Sequence, residues 1–252
     1  MFENARNFRD MHGTRTTDGE VLAAGRFYRT GSLSYLTEEE WPVLSELGIK
    51  LFCDLRSRRE RTLWPVVWRG AQPTLLGLDV LPDIKASGEQ VLRDIVSDPS
   101  GQRARHILTT NYALMPAEFA TRFATLVEHI VEHQGVPVLI GCTAGQDRTG
   151  FVCALLLLAL GVHIDDVMEN YLESNRYFDE QRVRETIAGE LQLASTDELS
   201  HAIIDALKVD ERYLAGALSE IDRNFGGITA YLKEYGGLDE EKKQLMRKML
   251  LD

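Results

Sequence analysis

Between Val136 and Val162 the chain passes from five apolar residues (VPVLI) through a polar loop (GCTAGQDR) into twelve apolar ones (FVCALLLLALGV). A membrane span needs about 20 such residues, so the apolar run predicts a helix buried in a protein core. The five residues before the loop predict a buried strand. Strand, tight loop and helix in that order aim backbone N–H groups at one point at the helix start, which is how proteins hold an anion. This segment restricts the fold to one built on an α/β unit.

The loop carries chemistry at that point. Cys142 ends the strand, Gly145 permits a tight turn, and Arg148 and Thr149 open the helix. A cation at a helix start opposes the helix dipole, so Arg148 calls for an anionic partner. Backbone amides of Thr143, Ala144, Gly145, Gln146, Asp147 and Arg148, with the Arg148 fork, fit the three equatorial oxygens of a phosphoryl group in transfer. The same positive field favours the thiolate of Cys142, a nucleophile at neutral pH, and the expected intermediate is a phosphocysteine. A leaving oxygen needs a proton and an attacking water must lose one, so a carboxyl group has to alternate as acid and base. Asp147 is nearest in sequence; Asp79 and Asp83, in LDVLPDI after a candidate strand, are the alternatives. Thr149 is placed to hydrogen-bond the sulfur as it departs. This chemistry needs no metal or cofactor.

Around this unit the chain reads as a single domain, residues 1–252, with no repeat and no long polar linker. Residues 1–35 read as an N-terminal arm or hairpin around Asp18-Gly19, residues 36–176 as an α/β catalytic core with its phosphate loop at 141–149, and residues 177–252 as a helical extension. Within the core, Thr37–Leu47 predicts a helix opened by a capping box, Ile49–Leu55 and Leu75–Leu81 predict strands, and Pro116–His133 an amphipathic helix. Helices are expected next over 165–175, 177–190, 197–207 and 210–225, with two short segments ending at Leu251.

Lys and Arg number 28 against 39 Asp and Glu, a net charge of −11, which argues against a general grip on nucleic acid or an anionic membrane. An anionic ligand must then be met by local positive charge. Arg56, Arg58, Arg59 and Arg61 form such a cluster, read either as a solvated face pairing with Glu60 and other acids or, for Arg56, as a group that steers the substrate. Three cysteines make no disulfide framework, and Cys53 and Cys153 read as core residues. A redox pairing of Cys53 with Cys142 is a weaker expectation. The first ten residues (MFENARNFRD) lack a secretory signal, so the cytoplasm is the expected location, with signal-independent export left open. The six histidines show no metal-ligand spacing, and no metal site is expected.

The loop GCTAGQDRTG resembles the C-x5-R loop of cysteine-dependent tyrosine phosphatases, in particular the bacterial family of the mycobacterial protein tyrosine phosphatase B type. The likeness extends through Asn7-Phe-Arg-Asp10, Arg29-Thr-Gly-Ser32, Asp54-Leu-Arg-Ser57, the stretch from Asp166 to Asn175, and Glu211-Arg-Tyr-Leu214 with Ile228-Thr-Ala-Tyr-Leu232. It implies a phosphotyrosine-phosphatase-like fold, a mostly parallel central sheet flanked by helices. It also implies Cys142 as nucleophile, Arg148 as phosphate clamp and Asp147 as loop acid. The implied substrate is a phosphotyrosine protein or peptide, and the product inorganic phosphate. Two positions depart from the common pattern: Gly141 stands where His is frequent, and Gln146 stands where phosphoinositide-hydrolysing members often carry Lys. The alternatives are a phosphoinositide or dual-specificity phosphatase, and a catalytically weak phosphate-binding module.

Overall fold

A computed structural model describes residues 2–80 and 89–252. Asp83 lies outside them. Five strands form one sheet in the order β1 (Arg9–Asp10), β2 (Phe27–Thr30), β5 (Val138–Gly141), β3 (Leu51–Asp54) and β4 (Thr74–Gly77). The β1–β2 pair is antiparallel and the other three pairs are parallel. The mostly parallel sheet and its flanking helices are the architecture expected.

Side chains alternate across the sheet, as a period of two requires. Phe27, Leu51, Cys53, Val138 and Ile140 enter the larger core cluster, and Tyr28, Phe52 and Leu139 enter the smaller one on the opposite face. Helix α1 (Glu40–Glu46) covers the smaller cluster with Trp41 and Leu44. The larger is covered by α4 (Gln102–Val131) and α5 (Asp147–Leu160), onto which α9 (Glu211–Phe225) and α11 (Glu240–Leu250) pack. The remaining helices are α2 (Arg58–Leu63), α3 (Glu89–Val96), α6 (Ile164–Leu172), α7 (Glu180–Leu191), α8 (His201–Ala206) and the single turn α10 (Ile228–Ala230).

The register positions the site. Thr30, Gly141, Asp54 and Gly77 stand in one row, so four parallel strands end together and release their loops at one edge. α/β sheets bind ligands at that carboxyl edge.

Several elements depart from the sequence reading. The helix expected from Pro116 begins at Gln102, because Ala104, Leu108, Tyr112 and Met115 continue the buried stripe of Phe119 and Phe123 through the proline. Pro116 costs the helix one N–H, and its own carbonyl accepts the Tyr231 hydroxyl at 2.7 Å. The strand expected at Leu75–Leu81 spans only Thr74–Gly77. The helix expected over 197–207 divides where Ser200 caps α8, leaving a short turn at Thr196–Glu198. Within the expected arm, Arg15 bridges Val21 around Asp18-Gly19, while Phe27–Thr30 lies inside the sheet beside β5.

Candidate active site

β5 ends at Gly141 because its neighbours leave no room for a side chain. A Cβ at Gly141 would lie 2.8 Å from Thr30 Cγ2. Cys142 follows, 2 % exposed, and its Sγ accepts the Gly145 N–H at 3.3 Å, which curls the loop around the sulfur. Gly145 has φ +70°, and a Cβ there would come within 2.6 Å of Gly31 N, so both conformation and space require glycine.

Segments far apart in sequence brace this turn from behind. The Gly145 carbonyl accepts from Asn7 Nδ2 and, at 2.8 Å, from Arg29 Nη2. Arg9 donates to Asn7 Oδ1 and, at 2.9 Å, to the Asn170 carbonyl. Arg29, fully buried, also donates to Asn170 Oδ1 and Ser174 Oγ. A peptide unit is planar and trans, so pinning the Gly145 carbonyl outward turns the Gln146 N–H inward, toward the concave side of the loop. On the other flank, Ser32 N–H donates to the Thr143 carbonyl at 2.9 Å.

Arg148 enters from the first turn of α5 and is 3 % exposed. Its Nη1 and Nη2 donate to the two oxygens of Glu60 at 2.9 and 2.8 Å, and further to the Leu55 carbonyl and Thr143 Oγ1, both at 3.3 Å. Glu60 is itself fixed: it completes a capping box with Ser57 at the start of α2 and accepts from the Thr143 hydroxyl. Burial alone would raise the Glu60 carboxyl, but the hydrogen bonds and charge of Arg148, helped by Thr143 and Ser57, hold it at about 2. The plane and position of the guanidinium are therefore set before any ligand arrives.

Asp147 lies beside Arg148 and accepts the Tyr112 hydroxyl at 2.8 Å. Tyr112 and Tyr171 oxygens are 2.7 Å apart. Burial, with the nearby Asp147 charge, pushes both phenols well above the usual tyrosine range, so both stay protonated. The single proton of Tyr112 goes to the carboxylate, which makes Tyr171 the donor to Tyr112.

The other expected site residues fall as follows. Thr149 is buried in α5, with no hydrogen-bond partner for its hydroxyl among the described residues. Asp79 pairs with Arg61 at 2.8 Å on the exposed rim. Arg56 corrects both of its readings, because it is 2 % exposed, with Nε and Nη2 on the Asp54 carboxylate and Nη1 on Ser32, Ser34 and the Trp64 carbonyl. It locks loops together and offers no face to an arriving anion. Glu60, expected on a solvated face, is 1 % exposed. Cys53 and Cys153 are unpaired and buried, and burial raises both thiols; Cys153, not Cys53, feels the charge of Cys142.

Sequence reasoning missed the partnership of Glu60 with Arg148, and missed Tyr112, Asn7, Arg29 and Asn170 as supports of the loop. The Ser57-x-x-Glu60 capping box was readable; its use by Arg148 was not.

Comparison with known proteins identifies the family. The model of the tyrosine phosphatase family matches residues 1–252. Triple specificity protein phosphatase PtpB of Mycobacterium tuberculosis is 31 % identical, over 97 % of this chain and 96 % of its own. A tyrosine-protein phosphatase of Nostoc commune is 28 % identical, over 89 % of this chain and 74 % of its own. Among solved structures, Pseudomonas aeruginosa TpbA in complex with pTyr matches at 17 % identity and a TM-score of 0.33, covering 73 % of this chain and 89 % of that one. The chain belongs to the tyrosine phosphatase family and is a protein-tyrosine phosphatase.

Proposed function

We propose that Cys142 is the nucleophile, Arg148 the phosphate clamp and Asp147 the acid–base group of phosphotyrosine hydrolysis, by way of a phosphocysteine. The observation that carries this reading is the Gly145 N–H on Cys142 Sγ at 3.3 Å, inside a loop whose next residues lead to a prefixed Arg148. The amides of residues 143–148 are the donors this reading assigns to the phosphoryl oxygens.

In the first step the thiolate attacks phosphorus in line, an S–P bond forms, and the P–O bond to tyrosine breaks with its electron pair leaving on oxygen. Asp147 delivers the proton that neutralises that oxygen. Glu60 fixes the plane of Arg148 beside the cradle, so charge spreading over the equatorial oxygens meets a guanidinium whose position is already set. In the second step water attacks phosphorus, Asp147 takes its proton, and the S–P bond breaks to release inorganic phosphate and the thiolate. The Thr149 hydroxyl, expected on the sulfur, has no partner among the described residues, Cys142 Sγ included, so no step is assigned to it. Three buried, unpaired thiols suit a reducing compartment such as the cytoplasm.

The test is turnover of a phosphotyrosine peptide by the native chain and by Cys142→Ser. The expected result is hydrolysis by the native chain, and in the variant binding of the peptide with no phosphate release. Turnover that survives Cys142→Ser refutes the assignment.

A further inference from the structure

Beside the phosphate loop is a second positive feature that the catalytic assignment leaves unused. A cleft of about 90 Å³ is bordered by Thr143 and Ala144 of the loop, by Arg6 and Tyr35, and by Arg182 of α7. Arg6 is tied to the catalytic loop through Gly31, and Arg182 is held by Tyr35. The Arg6 carbonyl accepts the Gly31 N–H at 2.6 Å, and a Cβ on Gly31 would lie 3.0 Å from that carbonyl oxygen and 3.2 Å from the Ala144 carbonyl carbon. Arg182 Cζ lies over the Tyr35 ring, 4.7 Å from its centroid.

Nothing in the fold requires cations here, and three features count against them. Arg182 stands in the first turn of α7, where the helix dipole disfavours positive charge. Arg6 is only partly exposed, and burial and then the Arg182 charge pull its guanidinium below its usual range. Among the described residues, neither side chain has a carboxylate within ion-pair distance. Asp179 offsets part of that pull as an opposing charge on Arg6, and it caps α7 by accepting the Arg182 N–H at 3.0 Å; Glu190 also lines the cleft. Two half-buried, like-charged groups held together with no carboxylate at ion-pair distance among the described residues, in a chain of net charge −11, are a local cost to stability of the kind functional sites carry. The guanidinium on Tyr35 is also preorganised, because the ring limits its rotamers.

Resting on the phosphatase reading above, we propose that Arg6 and Arg182 form an anion subsite that recognises a second negative group on a phosphotyrosine peptide, an acidic side chain or a second phosphate close in sequence to the scissile one. A peptide is favoured because Thr143 and Ala144 of the phosphate loop themselves line the cleft, so a chain whose phosphotyrosine is held by that loop runs beside it. It has room for one carboxylate or phosphate, and a planar fork pairs with either.

The experiment compares kcat/KM for three phosphotyrosine peptides that differ only in flanking positions, carrying Gln, Glu or phosphoserine, with para-nitrophenyl phosphate as a substrate too small to reach the cleft. Vesicles containing inositol phospholipid form a further arm. The native enzyme is expected to prefer the Glu and phosphoserine peptides over the Gln peptide by about tenfold at low salt, less at high salt. Arg6→Gln and Arg182→Gln should each remove a few-fold of that preference, and the double variant all of it, with para-nitrophenyl phosphate turnover within twofold of native. Arg182→Glu should favour a Lys-flanked peptide instead, a reversal that a merely structural arginine would not produce. Equal rates on all three peptides, or a preference that survives the double variant, overturn the subsite. An Arg-dependent gain on vesicles without one on peptides overturns the peptide assignment. Failure of the native chain to hydrolyse para-nitrophenyl phosphate refutes the phosphatase mechanism itself, which keeps the two failures distinct.

Discussion

Arg148 and Glu60 meet fork to fork, Nη1 to Oε2 at 2.9 Å and Nη2 to Oε1 at 2.8 Å, with both side chains almost wholly buried. Such a pair orients more than it stabilises, since two charges taken out of water recover little net energy. Removing one partner is another matter. Glu60→Gln keeps the shape but turns an N–H donor toward the guanidinium, and Arg148 loses its fixed plane. We expect kcat on a phosphotyrosine peptide to fall by roughly 10- to 100-fold, the scale of a misplaced charge-assisted contact of about 1.5–3 kcal/mol, with KM changing less. A variant with kcat within twofold of native would show that Arg148 needs no such support.

The same pair predicts acid sensitivity. The Glu60 carboxyl sits at about 2 in the folded chain against an ordinary 4.5. A depressed carboxyl stabilises the fold fully above its unfolded value, and the contribution disappears as pH falls from about 4.5 toward 2. Lowering the pH from 6 to 3 should therefore remove about 2 kcal/mol of unfolding free energy through this one group. Urea titrations of the native chain and Glu60→Gln at both pH values check it. The native chain should lose about that much more than the variant, and parallel losses would contradict the assignment.

What was legible in the sequence is what local pattern determines. The strand, loop and helix around Cys142 follow from hydrophobic runs and turn residues within 27 positions, and the parallel sheet follows from strands alternating with helices. The supports were not legible, because they are side chains brought together by the register. Asn7 and Arg29 each lie more than a hundred positions from Gly145, yet they meet it because β2 lies beside β5 and its Thr30 faces Gly141. Arg56 misled for the same reason: a basic run looks solvated until Asp54 and Ser32 are placed around it. The long helix was cut at Pro116 because a proline is a stronger local signal than a buried stripe of apolar residues.

The brace behind the loop is testable through Arg29. Its Nη2 holds the Gly145 carbonyl at 2.8 Å, so Arg29→Met, close in length but without donors, should free that peptide to rotate and turn the Gln146 N–H out of the cradle. We expect the peptide kcat to drop about tenfold or more, with phosphate affinity weakened in parallel, because an N–H aimed at the transition state contributes on the order of 3 kcal/mol. Product inhibition by phosphate reads the second effect. An unchanged inhibition constant beside a lowered kcat would mean that Arg29 acts elsewhere.

Gly141 and Thr30 form a steric pair that a double variant can resolve. A Cβ on Gly141 would stand 2.8 Å from Thr30 Cγ2, with Gly31 O and Phe52 Cε2 both at 3.3 Å. Gly141→Ala should therefore shift the strand end that carries Cys142, costing about 1–3 kcal/mol as overpacking does. Thr30→Ser deletes the clashing methyl, so adding it should recover part of both stability and kcat. Thermal unfolding and peptide turnover of the two singles and the double give the coupling directly. Strictly additive losses would show that Thr30 is not what excludes a side chain at 141.

Asp147 and Tyr112 bear on the proton. A carboxyl group that protonates the leaving oxygen matters most when that oxygen is strongly basic, so Asp147→Asn should cost a phosphotyrosine peptide about 100-fold in kcat and para-nitrophenyl phosphate only a few-fold. Equal losses on both would move the acid to Asp79 or Asp83. Tyr112 refines the expectation, because its hydroxyl donates to Asp147 Oδ1 at 2.8 Å and so aims the carboxyl. Tyr112→Phe removes that donor, so it should lower kcat on the phosphotyrosine peptide several-fold and leave para-nitrophenyl phosphate turnover nearly unchanged, a smaller copy of the Asp147→Asn pattern. Equal losses on both substrates in Tyr112→Phe would reduce Tyr112 to packing.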